Sequence, residues 1–489
     1  MHAADTGTLC FTGLSRTSWP ARRTPRQRAH GVAPDTVHTP PPSVYPMPVR
    51  LLLSLLLWCV PGVHAQSDVL PRPAALEPAV RFWSRVFTEV DTRSGFLHDD
   101  RHLNVVYETI GWPQDLDRRE RQALIEPRRQ AIQDILRALA DGTADRSDPQ
   151  VRRVQALWQG ASAAELRAAA QRVRFQLGQG DRFATALHRA GAWESHIRRT
   201  LTAYGVPEQI GALPYVESGF DPLAGSHAGA AGLWQFMAST GRLFLRIDHY
   251  VDERYDPHAA TVAAARLLRG NYDALGTWPL ALTAYNHGRA GMRRAVENMG
   301  TTDIATLIER YNGRYFGFAS RNFYPTFLAA LELSSTPEEH FGTVIKAPAA
   351  RMVEVTVPAY LPLRVVEREL GIDRSTLRAL NPALRRTVWD ETQLLPKGYA
   401  LRLPAGTRDA QVRIAEIARH AGQAAPVTEI RHLVRRGETL SGVAARHGIS
   451  TRQLAARNGL SPTAHLRIGQ VLKVPVRHPP GTPTLRAER

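Results

Sequence analysis

The sequence predicts a mainly α-helical fold that ends in small α+β units of strand–helix–helix–strand type. Three observations carry that prediction. Apolar residues recur at helical spacing from residue 79 to about Leu333, as in Phe82, Val86 and Val90, or Ile125, Ile132, Ile135 and Leu136. Runs of β type appear only afterwards, at Val353–Val357, Tyr399–Leu403, His432–Arg435 and Val471–Val474. Those runs belong to a repeat with a spacing of 77 residues.

Taken in order, residues 1–46 are rich in Arg, Pro, Thr and His, show no periodicity and cannot bury a core. The chemistry changes at Met47. A basic start at Met47–Arg50, an apolar run at Leu51–Val60 and a small residue at Ala65 read as a secretory signal over 47–65. Translation is then expected to start at Met47, with residues 1–46 untranslated or disordered. The apolar run falls short of the ~20 residues that a spanning helix needs. Cys59 raises the question of lipid attachment, but Trp58 stands where a small residue is favoured, so a soluble form is expected. Cys10 and Cys59 are the two cysteines of the chain. A disulfide scaffold and a Cys-based zinc site are therefore excluded for the remainder.

Residues 66–175 read as an all-helical support, with helices expected at 79–95, 115–142, 148–158 and 162–177, and a further one at 179–204. Asp148-Pro149 and Ser162 mark helix starts. Residues 176–340 continue the helical pattern with Gly, aromatic and polar residues crowded in. The repeat follows. Gly371, Ile372, Leu377 and Asn381 of a copy over 350–406 match Gly448, Ile449, Leu454 and Asn458 of a copy over 430–476. Leu363 matches Leu440, Val357 matches Val434, and Leu401-Arg-Leu-Pro404 answers Leu472-Lys-Val-Pro475. The first copy has six extra residues before its last strand and Tyr360 in place of Gly437. Residues 407–429 read as a linker and 477–489 as a disordered tail.

Hydrophobic content of 43% and charged content of 22% exclude a multi-span membrane protein and a mostly disordered chain. The net charge of +17, from 62 Lys plus Arg against 45 Asp plus Glu, points to an anionic partner. Nucleic acid, a membrane surface and an acidic polymer all satisfy that. The secretory signal and the lack of a basic-aromatic cluster argue against nucleic acid.

Unusual residues are densest from Pro207 to Gly241. Pro207 and Glu208 open a helix; Pro214 should kink it, and Gly219 helps end it. Glu217 falls on the same apolar stripe as Ile210 and Leu213. A carboxylate there is costly unless it has a role. The functional reading is a general acid whose pKa is raised by burial; the structural reading is a helix-end Glu paired with an Arg. Asp221 reads as a turn-forming residue. The glycines and alanines beside aromatic residues in Asp221–Met237 suggest a backbone that must closely approach a ligand.

Three motifs here resemble those of the lytic transglycosylases, goose-lysozyme-like enzymes that cleave peptidoglycan. They are Pro214-Tyr-Val-Glu-Ser-Gly-Phe-Asp-Pro, Gly232-Leu-Trp-Gln-Phe-Met and Ala284-Tyr-Asn-His-Gly288. The resemblance implies a lysozyme-like catalytic domain over 176–340 with Glu217 as sole acid/base. It implies substrate contacts from Ser226, Gln235, Tyr285 and Asn286, and from Tyr324 in Asn-Phe-Tyr-Pro. Gly219, His227 and Ala228 depart from the usual pattern. The second copy of the repeat resembles a LysM module, a binder of N-acetylglucosamine-containing glycans. The resemblance implies a groove lined by Gly437, Glu438, Thr439 and Leu440 on one side and Leu466, Arg467 and Ile468 on the other. For the first copy, glycan binding and mere packing stay equally open.

The resulting expectation is a monomeric peptidoglycan lytic transglycosylase without cofactor or metal, secreted to the periplasm, peripherally associated with the outer membrane. A hydrolytic muramidase on the same fold and a non-catalytic peptidoglycan-binding protein are the alternatives.

Overall fold

A computed structural model describes residues 69–113, 116–424, 428–447 and 449–476. The expected signal segment 47–65, residues 1–46, Cys59 and the tail 477–489 lie outside the described residues. Among the described residues no helix is long and apolar enough to cross a membrane.

The described residues from Arg72 onward belong to one compact unit. Helix α1 (Glu77–Thr88) buries Val80, Phe82, Trp83, Val86 and Phe87 on one face. The chain then departs from the all-helical expectation. Strands β1 (Ser94–Asp99) and β2 (Val106–Gly111) form an antiparallel pair. Helices α2 (Arg118–Asp141), α3 (Pro149–Leu157) and α4 (Ala163–Ala170) follow. Strand β3 (Val173–Leu177) returns to pair with β1, giving the order β2-β1-β3. The expected helix 162–177 is thus a helix and a strand. Val173, Phe175 and Leu177 alternate with Arg174 and Gln176, a period of two that places them in a strand. Gly95 permits the close pairing, since a Cβ there would meet the Gln176 carbonyl oxygen at 2.3 Å. Leu97, Tyr107 and Ile110 of the sheet pack with Ile125, Ile132 and Leu136 of α2. The caps of α2 and α4 follow local chemistry: Asp117 with Glu120, and Ser162 with Glu165, form capping boxes.

The expected helix 179–204 is two, α5 (Gly180–Ala190) and α6 (Glu194–Ala203). The break falls at Gly191, where a Cβ would lie 2.5 Å from the Ala347 carbonyl oxygen. The segment from Pro207 is also two pieces: a 3₁₀ turn over Glu208–Ala212, then the short helix α7 (Leu213–Glu217). Pro207 precedes the turn rather than opening a helix. Pro214 sits in the first turn of α7, where its missing N–H is not needed.

A two-strand hairpin, β4 (Ala230–Ala231) with β5 (Phe236–Met237), leads into α8 (Ala238–Gly241). Helices α9 (Pro257–Leu275), α10 (Trp278–His287), α11 (Arg289–Met299) and α12 (Ile304–Arg310) come next. Helix α13 (Phe318–Ser335) buries Phe323, Tyr324, Phe327 and Leu333. It packs against α1, α7 and α10. Burial of each large ring contributes about 2–3 kcal/mol. Helix α14 (Pro337–Phe341) closes this part.

The repeat is present. In the first copy β6 (Met352–Thr356), α15 (Leu363–Leu370), α16 (Arg374–Leu380) and β7 (Ala400–Pro404) follow in order, with an added turn, α17 (Arg386–Trp389), before β7. Residues 407–429, read as a linker, contain α18 (Ala410–Ala421), whose Ile414 and Ile417 join the core of the first copy. The second copy comprises β8 (Thr428–Leu433), α19 (Leu440–Arg446), α20 (Thr451–Arg457) and β9 (Val471–Val476). The matched asparagines do the same job. Asn381 Nδ2 donates to the Leu377 and Arg402 carbonyls, and Asn458 Nδ2 to those of Leu454 and Lys473.

Candidate active site

Helix α7 ends at Glu217, and its neighbours fix its place. Tyr215 stacks on Phe183 of α5 at 5.0 Å and meets Phe220 edge-on at 4.5 Å. Gly219 and Phe220 both take left-handed backbone conformations, φ 60° and 54°. For Phe220 this costs about 1 kcal/mol, offset by complete burial of the ring. The reversal lets the Ser218 and Phe220 amides both donate to the Pro214 carbonyl. Ser218 Oγ donates to the Leu233 carbonyl at 2.7 Å, tying α7 to the hairpin.

Glu217 itself is 8% exposed. Burial alone pushes its carboxyl from the ordinary 4.5 to about 8. No neighbouring charge contributes, so the Arg-paired structural reading does not apply. The acid form is therefore the main form at neutral pH. Tyr285 of α10 lies near enough for the Glu217 charge to raise its phenol, after burial, well above the usual value. Its Oη donates to the Trp234 carbonyl at 2.8 Å. Trp234 in turn donates through Nε1 to Thr261 of α9. Glu217, Leu233–Gln235 and Tyr285 are thus brought together from three elements.

Gln235 is buried with φ 48°. Its Nε2 donates to the Gly232 carbonyl at 2.8 Å and the Ala224 carbonyl at 3.3 Å, while Oε1 has no protein partner. Ser226 is half-buried; its Oγ accepts from the Ala230 amide, which leaves the hydroxyl proton free to donate. Asp221 Oδ1 accepts from the Leu223 amide, the turn role expected of it. Asn286 is half-buried on the last turn of α10. Tyr324 is fully buried in α13 alongside Phe327, away from any surface. Tyr285 lines a cavity of about 590 Å³ with Thr240, Asn271 and Arg289; Glu217, Gln235 and Tyr324 are not among its walls.

Sequence reasoning missed Arg254. Its buried guanidinium clasps Asp252 through Nε and Nη2, both at 2.9 Å. Nη1 donates to the Gly229 carbonyl at 2.8 Å and the Phe236 carbonyl at 3.0 Å, bracketing the hairpin that carries Gln235. Gly232 packs on the same segment, and a Cβ there would lie 1.7 Å from the Arg254 carbonyl oxygen. The signal available in the sequence was Asp252-Glu-Arg-Tyr-Asp256, a dense charge cluster just ahead of a Pro-initiated helix. Its Glu253 is a second carboxyl raised by burial, to about 6, but it accepts the Arg246 amide at 2.7 Å.

In the second repeat copy, the Val434 amide donates to Gln470 and the Gly469 amide donates to Val434, which sets the two expected rims side by side. Gly437, Arg467 and Ile468 are exposed, Ile468 at 70%. Leu440 is buried and Leu466 packs on the core. Glu438 is held low, to about 2, by the Arg435 amide, Arg446 and His432. Thr439 caps α19. Glu438 and Thr439 thus shape the rim through internal bonds.

Residues 195–308, from α6 into α12, match the family described as Transglycosylase SLT domain, and residues 432–475 match the LysM domain. The chain is 28% identical over 285 residues to membrane-bound lytic murein transglycosylase D of Escherichia coli strain K12, covering 55% of this chain and 60% of that protein. The chain thus spans less than two thirds of that relative. An N-acetylmuramoyl-L-alanine amidase of Bacillus subtilis is 48% identical over 42 residues, 9% of this chain and 13% of that protein. Among solved structures, the 70 kDa soluble lytic transglycosylase of Escherichia coli shares 20% identity with a TM-score of 0.27, over 48% of this chain and 39% of that one. The chain therefore contains a transglycosylase SLT domain that includes Glu217, Ser226, Gln235, Tyr285 and Asn286, followed by a LysM domain.

Proposed function

We propose that this protein is a peptidoglycan lytic transglycosylase. It cleaves the β-1,4 bond between N-acetylmuramic acid and N-acetylglucosamine without water and leaves 1,6-anhydromuramoyl ends. The observation that carries this reading is the buried carboxyl of Glu217, pushed up to about 8 by burial with no contribution from a second carboxylate. Retaining and inverting glycosidases use two carboxylates about 5–10 Å apart. A one-carboxylate site suits a reaction whose nucleophile belongs to the substrate.

Glu217 gives its proton to the glycosidic oxygen as the bond to muramoyl C1 breaks, releasing N-acetylglucosamine with the oxygen. The muramoyl acetamido oxygen stabilises the positive centre at C1. Gln235 Oε1, buried and without a protein partner, accepts the acetamido N–H. The Glu217 carboxylate then takes the proton of the muramoyl O6 hydroxyl as O6 bonds to C1. The acid form is restored and no water is consumed. Ser226 and Asn286 contact the sugar, and Tyr285 holds the Trp234 backbone beside the acid. The LysM rim at Gly437 and Arg467–Ile468 holds the glycan strand. The protein acts in the periplasm after export through 47–65.

The test is digestion of purified sacculi by the wild type and by Glu217→Gln, with product masses read by mass spectrometry. Anhydro-ended muropeptides from the wild type, lost in the variant, are expected. Reducing ends only, or equal release by the variant, would contradict the proposal.

A further inference from the structure

We propose that the first repeat copy, with α18, is not a glycan binder but a clamp that positions the Gln235 hairpin, with Arg385 as its positioning residue. This rests on the functional reading above.

The groove positions of the second copy have been rebuilt in the first. Gly437, Glu438 and Leu440 correspond to Tyr360, Leu361 and Leu363. Leu361 and Leu363 are buried, in a core that also takes in Tyr250 and Val251 of the transglycosylase domain. The two rims are joined to each other: the Leu361 amide donates to Leu395 at 3.0 Å, and the Leu395 amide donates back at 2.8 Å. The Gln423 amide adds a bond to the Tyr360 carbonyl at 2.9 Å. A glycan has no open groove to enter there.

What the copy gains is a seam with the segment before α9. The Asp252 amide donates to the Ala383 carbonyl, and the Arg385 amide donates to Tyr250, both at 2.8 Å. Thr387 Oγ1 donates to the His249 carbonyl. Two ion pairs cross the seam. Arg402, buried where the second copy carries exposed Lys473, pairs with Asp256, the residue that caps α9. Arg385 Nη2 lies 3.2 Å from Asp252 Oδ2, the oxygen that also holds Arg254. The path is short: Arg385 holds Asp252, Asp252 aligns Arg254, and Arg254 holds the carbonyls on both sides of Gln235.

The experiment uses the full chain with Arg385→Ala, Arg385→Lys and Gln235→Ala. Arg385 is part-exposed, so its removal spares the core. Release of soluble fragments from sacculi is expected to fall about tenfold in kcat for Arg385→Ala, with half-saturation unchanged. Arg385→Lys is expected to restore most of it. In the Gln235→Ala background, Arg385→Ala should add little, because both act through one hairpin. Amide exchange of 229–236 should rise about tenfold in Arg385→Ala while α13 stays protected. Exchange does not depend on the reaction, so it tests the clamp even if wild-type cleavage chemistry differs from the proposal. Unchanged exchange, independent multiplying effects, or weakened sacculus binding with intact kcat would overturn it.

Discussion

Glu217 faces two opposed demands. As general acid it must hold its proton, and burial supplies that at the expense of folding stability once the solution is alkaline enough to ionise an unfolded carboxyl. Its folded pKa, about 8, lies above the ordinary 4.5. The stability associated with the proton is therefore full below pH 4.5 and is lost as pH rises towards 8. Glu217→Gln is expected to unfold like the wild type at pH 4 and to be more stable by about 3 kcal/mol at pH 7. Denaturant unfolding at the two pH values measures this; equal stability at pH 7 would show that the carboxyl is not held protonated. Removal of a general acid costs about 10²–10⁴-fold in rate, so the same variant should combine higher stability with lost cleavage. Wild-type turnover should decline above pH 8, as the acid ionises, which a pH–rate profile reads. Glu217 was conspicuous as a carboxylate on an apolar stripe, while the role proposed for it came from the motifs around it. Arg254 was not, because the groups it serves are backbone carbonyls of Gly229 and Phe236, far away in sequence and identical in every residue.

At the scale of elements, the hairpin from Gly229 to Met237 is the part that must be rigid. Gly232, with φ 78° and the Arg254 carbonyl against it, has no room for a methyl group. Gly232→Ala is expected to cost about 3 kcal/mol or more. Gly229→Ala, at φ 89° in open space, should cost about 1 kcal/mol. Thermal unfolding of the two variants checks the difference, and similar midpoints would contradict the packing described. Elements with long periodic faces, such as α1 and α2, were readable from the sequence. The sheet of β1, β2 and β3 was not, because its strands are only five or six residues long, one carries Gly95, and the alternation of Val173–Leu177 directly follows the apolar run of α4. Both prolines misled: Pro207 precedes a 3₁₀ turn and Pro214 sits in the first turn of α7 behind it, rather than opening and kinking one helix.

At the scale of the whole molecule, cutting and holding are separate tasks. The LysM rim exposes Ile468, so Ile468→Asp should weaken retention on sacculi several-fold without changing stability. A pull-down against sacculi with soluble strands as the activity control measures it; unchanged retention would remove Ile468 from the rim. With the +4 of residues 1–65 removed from the total of +17, a net charge of +13 remains on the exported chain and adds an attraction that rising salt should screen. The repeat was legible because glycines and asparagines recur at one spacing. The docking of its first copy was not, because Tyr250 and Val251 look like ordinary loop residues until the fold places them in another module's core. Intramolecular attack driven by Glu217 is tested by digesting sacculi in ¹⁸O-labelled water. Fragments with no label at the new muramoyl ends are expected; one ¹⁸O per cleavage would show that water is the nucleophile.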